Sequence, residues 1–235
     1  MRRCVSPDGA RPGRVEDIVS TVRTYWVSET AGVLDVPGAS TIECQRRIWW
    51  LADHFRRRAG VREVVPGMNN LTVELEHAAP DLENLLESLR AQWSKSGAVS
   101  LPSRGIEIPV RYGGADGCDL DDVARHTGLA AEEVIRLHHT GEYTVYFLGF
   151  LPGFAYLGGM DRRLATPRRK EPRLAVPAGS LGIGGEQTGV YPSTSPGGWQ
   201  LIGRTSLRLF DPARDPASLL LPGDTVRFVS VGESR

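Results

Sequence analysis

The chain is poor in cysteine. Its 235 residues hold three, Cys4, Cys44 and Cys118, far apart from one another. No pair has metal-ligand spacing, and an odd number argues against a disulfide framework. A reducing compartment is the simplest expectation. No apolar run reaches the roughly 20 residues that a membrane span needs. The N-terminus has no apolar signal core, so a cytoplasmic location is expected. Excess charge is also missing: 28 Lys and Arg stand against 28 Asp and Glu. That balance gives no overall pull toward nucleic acid or an anionic membrane, but it leaves room for a local basic patch. No Gly-x-x-x-x-Gly-Lys-Ser/Thr string occurs, so no phosphate-binding loop of that kind is present. The five histidines, His54, His77, His126, His138 and His139, make no His-x-x-x-His pair, so no metal site is expected. Internal repeats and low-complexity tracts are absent.

What is there divides in two. Residues 1–20 are rich in Gly, Pro and charge and read as a disordered leader. Residues 21–100 read as a small two-layer α/β domain. Two short strands are expected between Val22 and Val36, and a helix from Ser40 or Thr41 to about Arg58, stopped by Gly60. Strands follow at Val61–Val65 and Leu71–Leu75, joined through Pro66-Gly67-Met68-Asn69-Asn70. Asp81 opens a second helix to about Ser94, with Leu82, Leu85, Leu86 and Leu89 on one face. A polar connection over residues 94–104 is the expected boundary.

The second domain, residues 104–235, starts with strand-like alternation at Ile106–Tyr112. Two short helices are expected at Asp119–His126 and Ala130–His138, then a strand at Tyr143–Phe150. The rest is short strands separated by Gly and Pro, ending with Ser206–Phe210 and Thr225–Val229. That pattern predicts a β-barrel or sandwich, and an α+β class for the whole chain.

The most informative stretch is Phe147–Arg204, where glycine, proline, aromatics and arginine alternate. Gly relieves backbone sterics and Pro fixes φ, so aromatics and arginines there read as a binding surface held by rigid turns. Arg162, Arg163, Arg168, Arg169, Lys170 and Arg173 stand against the single acidic Glu171. The guanidinium fork suits carboxylate or phosphate, and Pro167 and Pro172 bracket the cluster. A solvated loop with scattered surface pairs is the alternative. Ala178-Gly179-Ser180-Leu181-Gly182 is one residue from a nucleophile elbow, and Gly179-Ser180-Leu181-Gly182-Ile183-Gly184-Gly185 is superficially like a phosphate cradle. No helix pattern follows it, which favours a tight turn between barrel strands. His138, at a helix end before the Tyr143 strand, is the best acid–base candidate. Phe150, Phe154, Tyr156, Tyr191 and Trp199 are either barrel core or pocket lining.

Several strings here are long and specific: Phe147-Leu148-Gly149-Phe150-Leu151-Pro152-Gly153-Phe154-Ala155-Tyr156-Leu157, Pro167-Arg168-Arg169 and Val176-Pro177-Ala178-Gly179-Ser180. Gly182-Ile183-Gly184-Gly185-Glu186-Gln187-Thr188-Gly189-Val190-Tyr191-Pro192 and Ser195-Pro196-Gly197-Gly198-Trp199 continue the series. Together with Pro66–Asn70 they resemble the B-subunit family of 5-oxoprolinase, whose members are also labelled allophanate hydrolase subunit 1 and sporulation-kinase inhibitor. The resemblance runs from about residue 22 to 230. It implies a cyclophilin-like barrel behind a small α/β domain. It also implies membership of a bacterial ATP-dependent enzyme complex that opens 5-oxoproline to glutamate, with this chain inactive alone. The site would be shared with the C subunit of 5-oxoprolinase, itself cyclophilin-like and related to biotin-dependent carboxylases. The A subunit, of the lactam-utilisation type, would be a further partner.

ATP, with magnesium, is the cofactor implied for the complex, and none is assigned to this chain. Arg168 and Arg169, with Lys170 and Arg173, would be the clamps for developing charge, and His138 would move a proton. Ser180, Gln187, Thr188 and Tyr191 would orient substrate. Phe150, Pro152, Phe154, Tyr156, Pro177, Gly197, Gly198 and Trp199 complete the expected substrate- or nucleotide-binding set. Inhibition of a histidine kinase and hydrolysis of allophanate are the alternatives that the family labels carry, and a peptide-binding module is a third.

Overall fold

The computed structural model describes residues 22–38, 40–78, 82–97 and 99–232. The leader expected at 1–20 lies outside the described residues, as does Asp81. The N-terminal unit runs β1 (Arg23–Trp26), β2 (Ala31–Asp35), α1 (Ile42–Arg56), β3 (Val61–Pro66), β4 (Asn70–Leu75) and α2 (Leu82–Lys95). Its four strands form one antiparallel sheet in the order β1-β2-β4-β3. Thr41 starts α1 by accepting the Cys44 amide on its hydroxyl. Past the end of the helix Gly60 takes φ +78, where a Cβ is disfavoured. Ile48, Leu51 and Phe55, spaced for one helical face, pack on Leu34, Leu71 and Val73 of the sheet and on Leu85, Leu89 and Trp93 of α2.

The second unit runs β5 (Gly105–Tyr112), α3 (Leu120–Thr127), α4 (Ala131–Thr140), β6 (Tyr143–Leu148) and β7 (Ala155–Gly158). Then come a single 3-10 turn (Arg162–Leu164), β8 (Arg173–Val176), β9 (Ser180–Gly184), β10 (Gln187–Val190), β11 (Ser195–Gly197), β12 (Gln200–Arg204) and β13 (Thr225–Ser230). Seven of these strands close a barrel in the order β10-β7-β6-β13-β5-β12-β9, and β9 pairs back onto β10. The barrel-or-sandwich expectation thus resolves to a closed barrel, and the α+β class stands. β5 and β13, far apart in sequence, pair in parallel from Gly105 with Thr225 to Val110 with Ser230. Strands β8 and β11 leave the barrel and pair with each other as a separate ribbon. Helices α3 and α4 cover one side, and Val123, Val134 and Leu137 join Ile108, Tyr143, Val226 and Phe228 in the barrel core.

One expected strand is not there. Ser206–Phe210 carries only an isolated bridge from Phe210 to Ser218. The Thr205 hydroxyl accepts the Leu207 amide at 3.2 Å, which turns the chain out of the ladder right after β12.

The two units meet at β6. The register of β6 against β7 slips between Val145 and Phe147, a bulge that turns the Tyr146 carbonyl toward α1. That carbonyl accepts Gln45 Nε2 at 3.2 Å and Trp49 Nε1 at 2.8 Å. Two buried side-chain donors of the first unit therefore end on one peptide of the barrel.

Candidate functional site

A cleft of about 250 Å³ opens between the barrel wall and the β8–β11 ribbon. Phe150, Phe154, Tyr156, Arg168, Pro172, Tyr191, Pro196, Gly197, Gly198 and Trp199 line it. Phe154, Tyr191 and Trp199 are buried and form its floor, and Phe150 and Arg168 are exposed at its rim. Phe154 meets Trp199 and Tyr191 edge-on, with ring centroids 5.5 Å apart in both pairs. That is the geometry that the aromatic quadrupole favours.

The glycines of the motif make room for this floor. Strand β9 passes directly beneath Trp199, and a Cβ on Gly184 would lie 2.4 Å from the indole Nε1. The loop before β7 is a Pro-Gly turn. Phe154 N–H donates to the Leu151 carbonyl at 2.9 Å, and Gly153 has φ +81 at the position where a type II turn needs it positive.

Phe150 is different. It takes φ +66 with a bulky side chain, a conformation that costs an L-residue about 1–2 kcal/mol. It sits in that strain while presenting its ring, 59% exposed, at the rim of the cleft. A residue selected for folding alone would be Gly. Phe150→Gly is expected to be more stable than Phe150→Ala by about 1 kcal/mol in denaturant titration, because both lose the ring and only alanine keeps the strain. Equal stability of the two variants would show that the backbone there is relaxed.

The basic loop Pro167–Arg173 runs along the ribbon side of the cleft. Its backbone is pinned by Arg169 N–H donating to the Gly198 carbonyl at 2.7 Å and by Gln200 Nε2 donating to the Pro167 carbonyl at 3.0 Å. Its arginines do not act alike. The Arg168 guanidinium lies 5.8 Å from the centre of the Trp199 ring, within cation–π range. Arg169 and Arg173 turn away from the cleft. Arg169 Nη1 (3.2 Å) and Arg173 Nη2 (2.6 Å) both donate to Asp119 Oδ1. The other Asp119 oxygen accepts the Leu201 amide at 2.7 Å, and the carboxylate is buried. The hydrogen bond to Asp119 holds the Arg173 guanidinium above its ordinary pKa. Burial pushes the Tyr156 and Tyr191 phenols up, and the nearby Arg168 charge partly opposes this. Both phenols therefore stay neutral near pH 7 and able to donate.

The expected site residues do not fall in one place. Phe150, Phe154, Tyr156, Arg168, Tyr191, Gly197, Gly198 and Trp199 meet in the cleft, with Arg169 and Arg173 behind its wall. Pro152 and Pro177 are exposed in turns and do not line it. Ser180 is buried at the start of β9, away from the cleft, and no helix follows it. Gln187 faces a separate pocket of about 100 Å³ at the junction of the units, with Ser40, Met68, Tyr146 and Arg162.

His138 and Thr188 are inside the barrel. The expectation that His138 moves a proton is corrected by its surroundings, because its ring is fully buried and both ring nitrogens are engaged by Tyr112 and Thr188. Thr188 Oγ1 donates to the Gly182 carbonyl (3.1 Å), so it must accept from His138 Nε2 (2.9 Å). His138 Nδ1 is then the acceptor for the Tyr112 hydroxyl (2.8 Å). All three groups are neutral and satisfied, and burial pushes the His138 pKa down to about 3.

Asp119 was not legible as a site residue. In the sequence it marks a helix start, where an aspartate ordinarily caps. Here its side chain makes no cap hydrogen bond and goes to the arginines and Leu201 instead. Pro172 and Pro196 are cleft residues that the sequence presents only as loop formers.

The family model for the carboxyltransferase domain, subdomain C and D, matches residues 22–220. The B subunit of 5-oxoprolinase from Escherichia coli O157:H7 is 56% identical over 207 residues, covering 88% of this chain and 95% of that protein. Among solved structures, TTHA0988 aligns with a TM-score of 0.72 at 36% identity, covering 91% of this chain and 41% of that one. The Kluyveromyces lactis urea amidolyase structure aligns at 0.78 over 90% of this chain and 15% of its own; at 21% identity that is a likeness of fold.

Proposed function

The chain belongs to the B-subunit family of 5-oxoprolinase, and from that premise we propose that it is the B component of a bacterial ATP-dependent complex opening 5-oxoproline to glutamate. In that reaction the lactam C–N bond breaks. Water supplies hydroxyl to the carbonyl carbon and a proton to the nitrogen, while ATP is hydrolysed to ADP and phosphate. The observation that carries the reading onto this molecule is the aromatic cleft with the Arg168 guanidinium at its rim. It offers flat apolar walls for a small ring and one cation for a carboxylate.

What the cleft lacks points to a shared site. Among the described residues, none that lines it is Asp, Glu, His or Lys. Tyr156 and Tyr191 are the titratable groups besides Arg168 that line it, and we place the remaining proton-moving groups on a partner. We assign them to the cyclophilin-like C subunit, with the lactam-utilisation-type A subunit completing the complex. Phe150 at the rim and Leu174 on β8, 91% exposed, leave apolar surface beside the site for that contact.

Omission tests the proposal. This chain mixed with the purified A and C subunits, ATP and 5-oxoproline is expected to form glutamate, and no pair of the three is. Undiminished glutamate from the other two subunits alone would reject the role. Turnover of allophanate in place of 5-oxoproline would favour the amide-hydrolase alternative.

A further inference from the structure

Arg168, Arg169 and Arg173 crowd one loop, yet they are chemically divided. Arg168 lines the cleft, and among the described residues no hydrogen bond or ion pair engages its guanidinium. Arg169 and Arg173 are fastened to Asp119 Oδ1 at 3.2 and 2.6 Å. Asp119 is itself held by the Leu201 amide and is 2% exposed. One buried carboxylate thus cancels one of the two charges behind the wall and fixes both forks facing away from the ligand space. A ligand in the cleft meets a single guanidinium, and one fork matches one carboxylate.

This chain's side of the cleft carries little that would hold a nucleotide by itself. A triphosphate calls for several convergent cations, backbone amide cradles or a metal held by carboxylates. The cleft has one free cation, no acidic lining residue among those described and about 250 Å³. Sites for drug-sized ligands run to roughly 300–1,000 Å³.

We infer that this cleft selects a small ring bearing one carboxylate, that the ATP used by the complex binds outside it, and that Asp119 sets the selectivity by holding Arg169 and Arg173 off the ligand space. The identity of the ring as 5-oxoproline rests on the functional reading above. Asp119 is a positioning residue in this account, since it acts through the arginines, and Arg168 is the group that touches the ligand.

Steady-state kinetics of the complex reconstituted with the A and C subunits test this. Arg168→Gln is expected to raise KM for 5-oxoproline roughly 10- to 100-fold, the range for a lost charge-assisted hydrogen bond, with KM for ATP within about twofold. Inorganic pyrophosphate is expected not to compete with 5-oxoproline in the wild-type complex. In Asp119→Asn, where the two arginines lose their counter-charge, pyrophosphate is expected to become a competitive inhibitor against 5-oxoproline. A merely structural role for Asp119 would not create that new affinity. The inference is overturned if Arg168→Gln raises KM for ATP instead, or if pyrophosphate competes with 5-oxoproline in the wild type. Those two arms stand without the Asp119 variant should it fail to fold. A folded Asp119→Asn that gains no pyrophosphate inhibition removes the selectivity role. A complete wild-type mixture that forms no glutamate is a separate failure, and it sinks the functional reading along with the inference.

Discussion

Gly184→Val is expected to cost about 3 kcal/mol of stability and to abolish ligand binding in the cleft. The added Cβ alone would sit 2.4–2.6 Å from three indole atoms of Trp199, closer than real Cβ contacts come. Trp199 is confined on its barrel side. It is 4% exposed, with Phe154, Tyr156 and Tyr191 around it and the Gly182 and Gly189 positions beneath it. Overpacking a filled site usually costs about 1–3 kcal/mol, and a β-branched side chain against an indole packed among three other rings belongs at the upper end. For a chain of this size that corresponds to a fall in Tm of roughly 6–12 °C. Gly105→Val is the control, because nothing lies within 4 Å of a Cβ there. It is expected to stay within about 0.5 kcal/mol of wild type. Equal effects of the two substitutions would mean that the floor of the cleft is loosely packed.

Acid is expected to destabilise the barrel through His138. The folded pKa of this buried imidazole is about 3, against about 6.5 for an unfolded chain. Below pH 6.5 the unfolded chain binds a proton that the folded one refuses. The contribution is therefore complete above about pH 6.5 and is lost as the pH falls toward 3, by up to about 1.4 kcal/mol per pH unit. At pH 5 that is about 2 kcal/mol. Glutamine at position 138 removes the titrating group, so the Tm of His138→Gln is expected to fall less steeply between pH 7 and 5 than that of the wild type. Carboxylate titration is common to both proteins and cancels in the comparison. Parallel Tm–pH curves would mean that the ring is protonated or solvated in the fold. The same burial that makes His138 a stability sensor keeps it from the chemistry first expected of it.

The sequence was legible where local physics decides. Period-3.6 apolar positions placed α1 and α2, Thr41 and Gly60 marked the limits of α1, and the Pro152-Gly153 turn carried its own backbone logic. The aromatics between Phe150 and Trp199 read in sequence as either core or pocket lining, and their Gly- and Pro-fixed turns gave the reason to weigh the pocket. What stayed out of reach depends on long-range pairing. The parallel match of β5 with β13 joins segments more than a hundred residues apart, and no local pattern encodes it. Ser206–Phe210 alternates as a strand would, until the Thr205 hydroxyl takes the Leu207 amide. Thr188 was expected to orient substrate, but it points into the barrel toward His138. Arg168, Arg169 and Arg173 read alike in sequence, as clamps for developing charge. Asp119, fifty positions before Arg169, sorts the cleft-side arginines into one free cation and two captives.

A crystal structure of the complex with the A and C subunits, soaked with 5-oxoproline, tests the centre of the account. The ligand carboxylate is expected within roughly 3 Å of the Arg168 guanidinium, with the lactam ring against Trp199. A lactam bound elsewhere, with Arg168 left in solvent and the aromatic cleft empty, would contradict it.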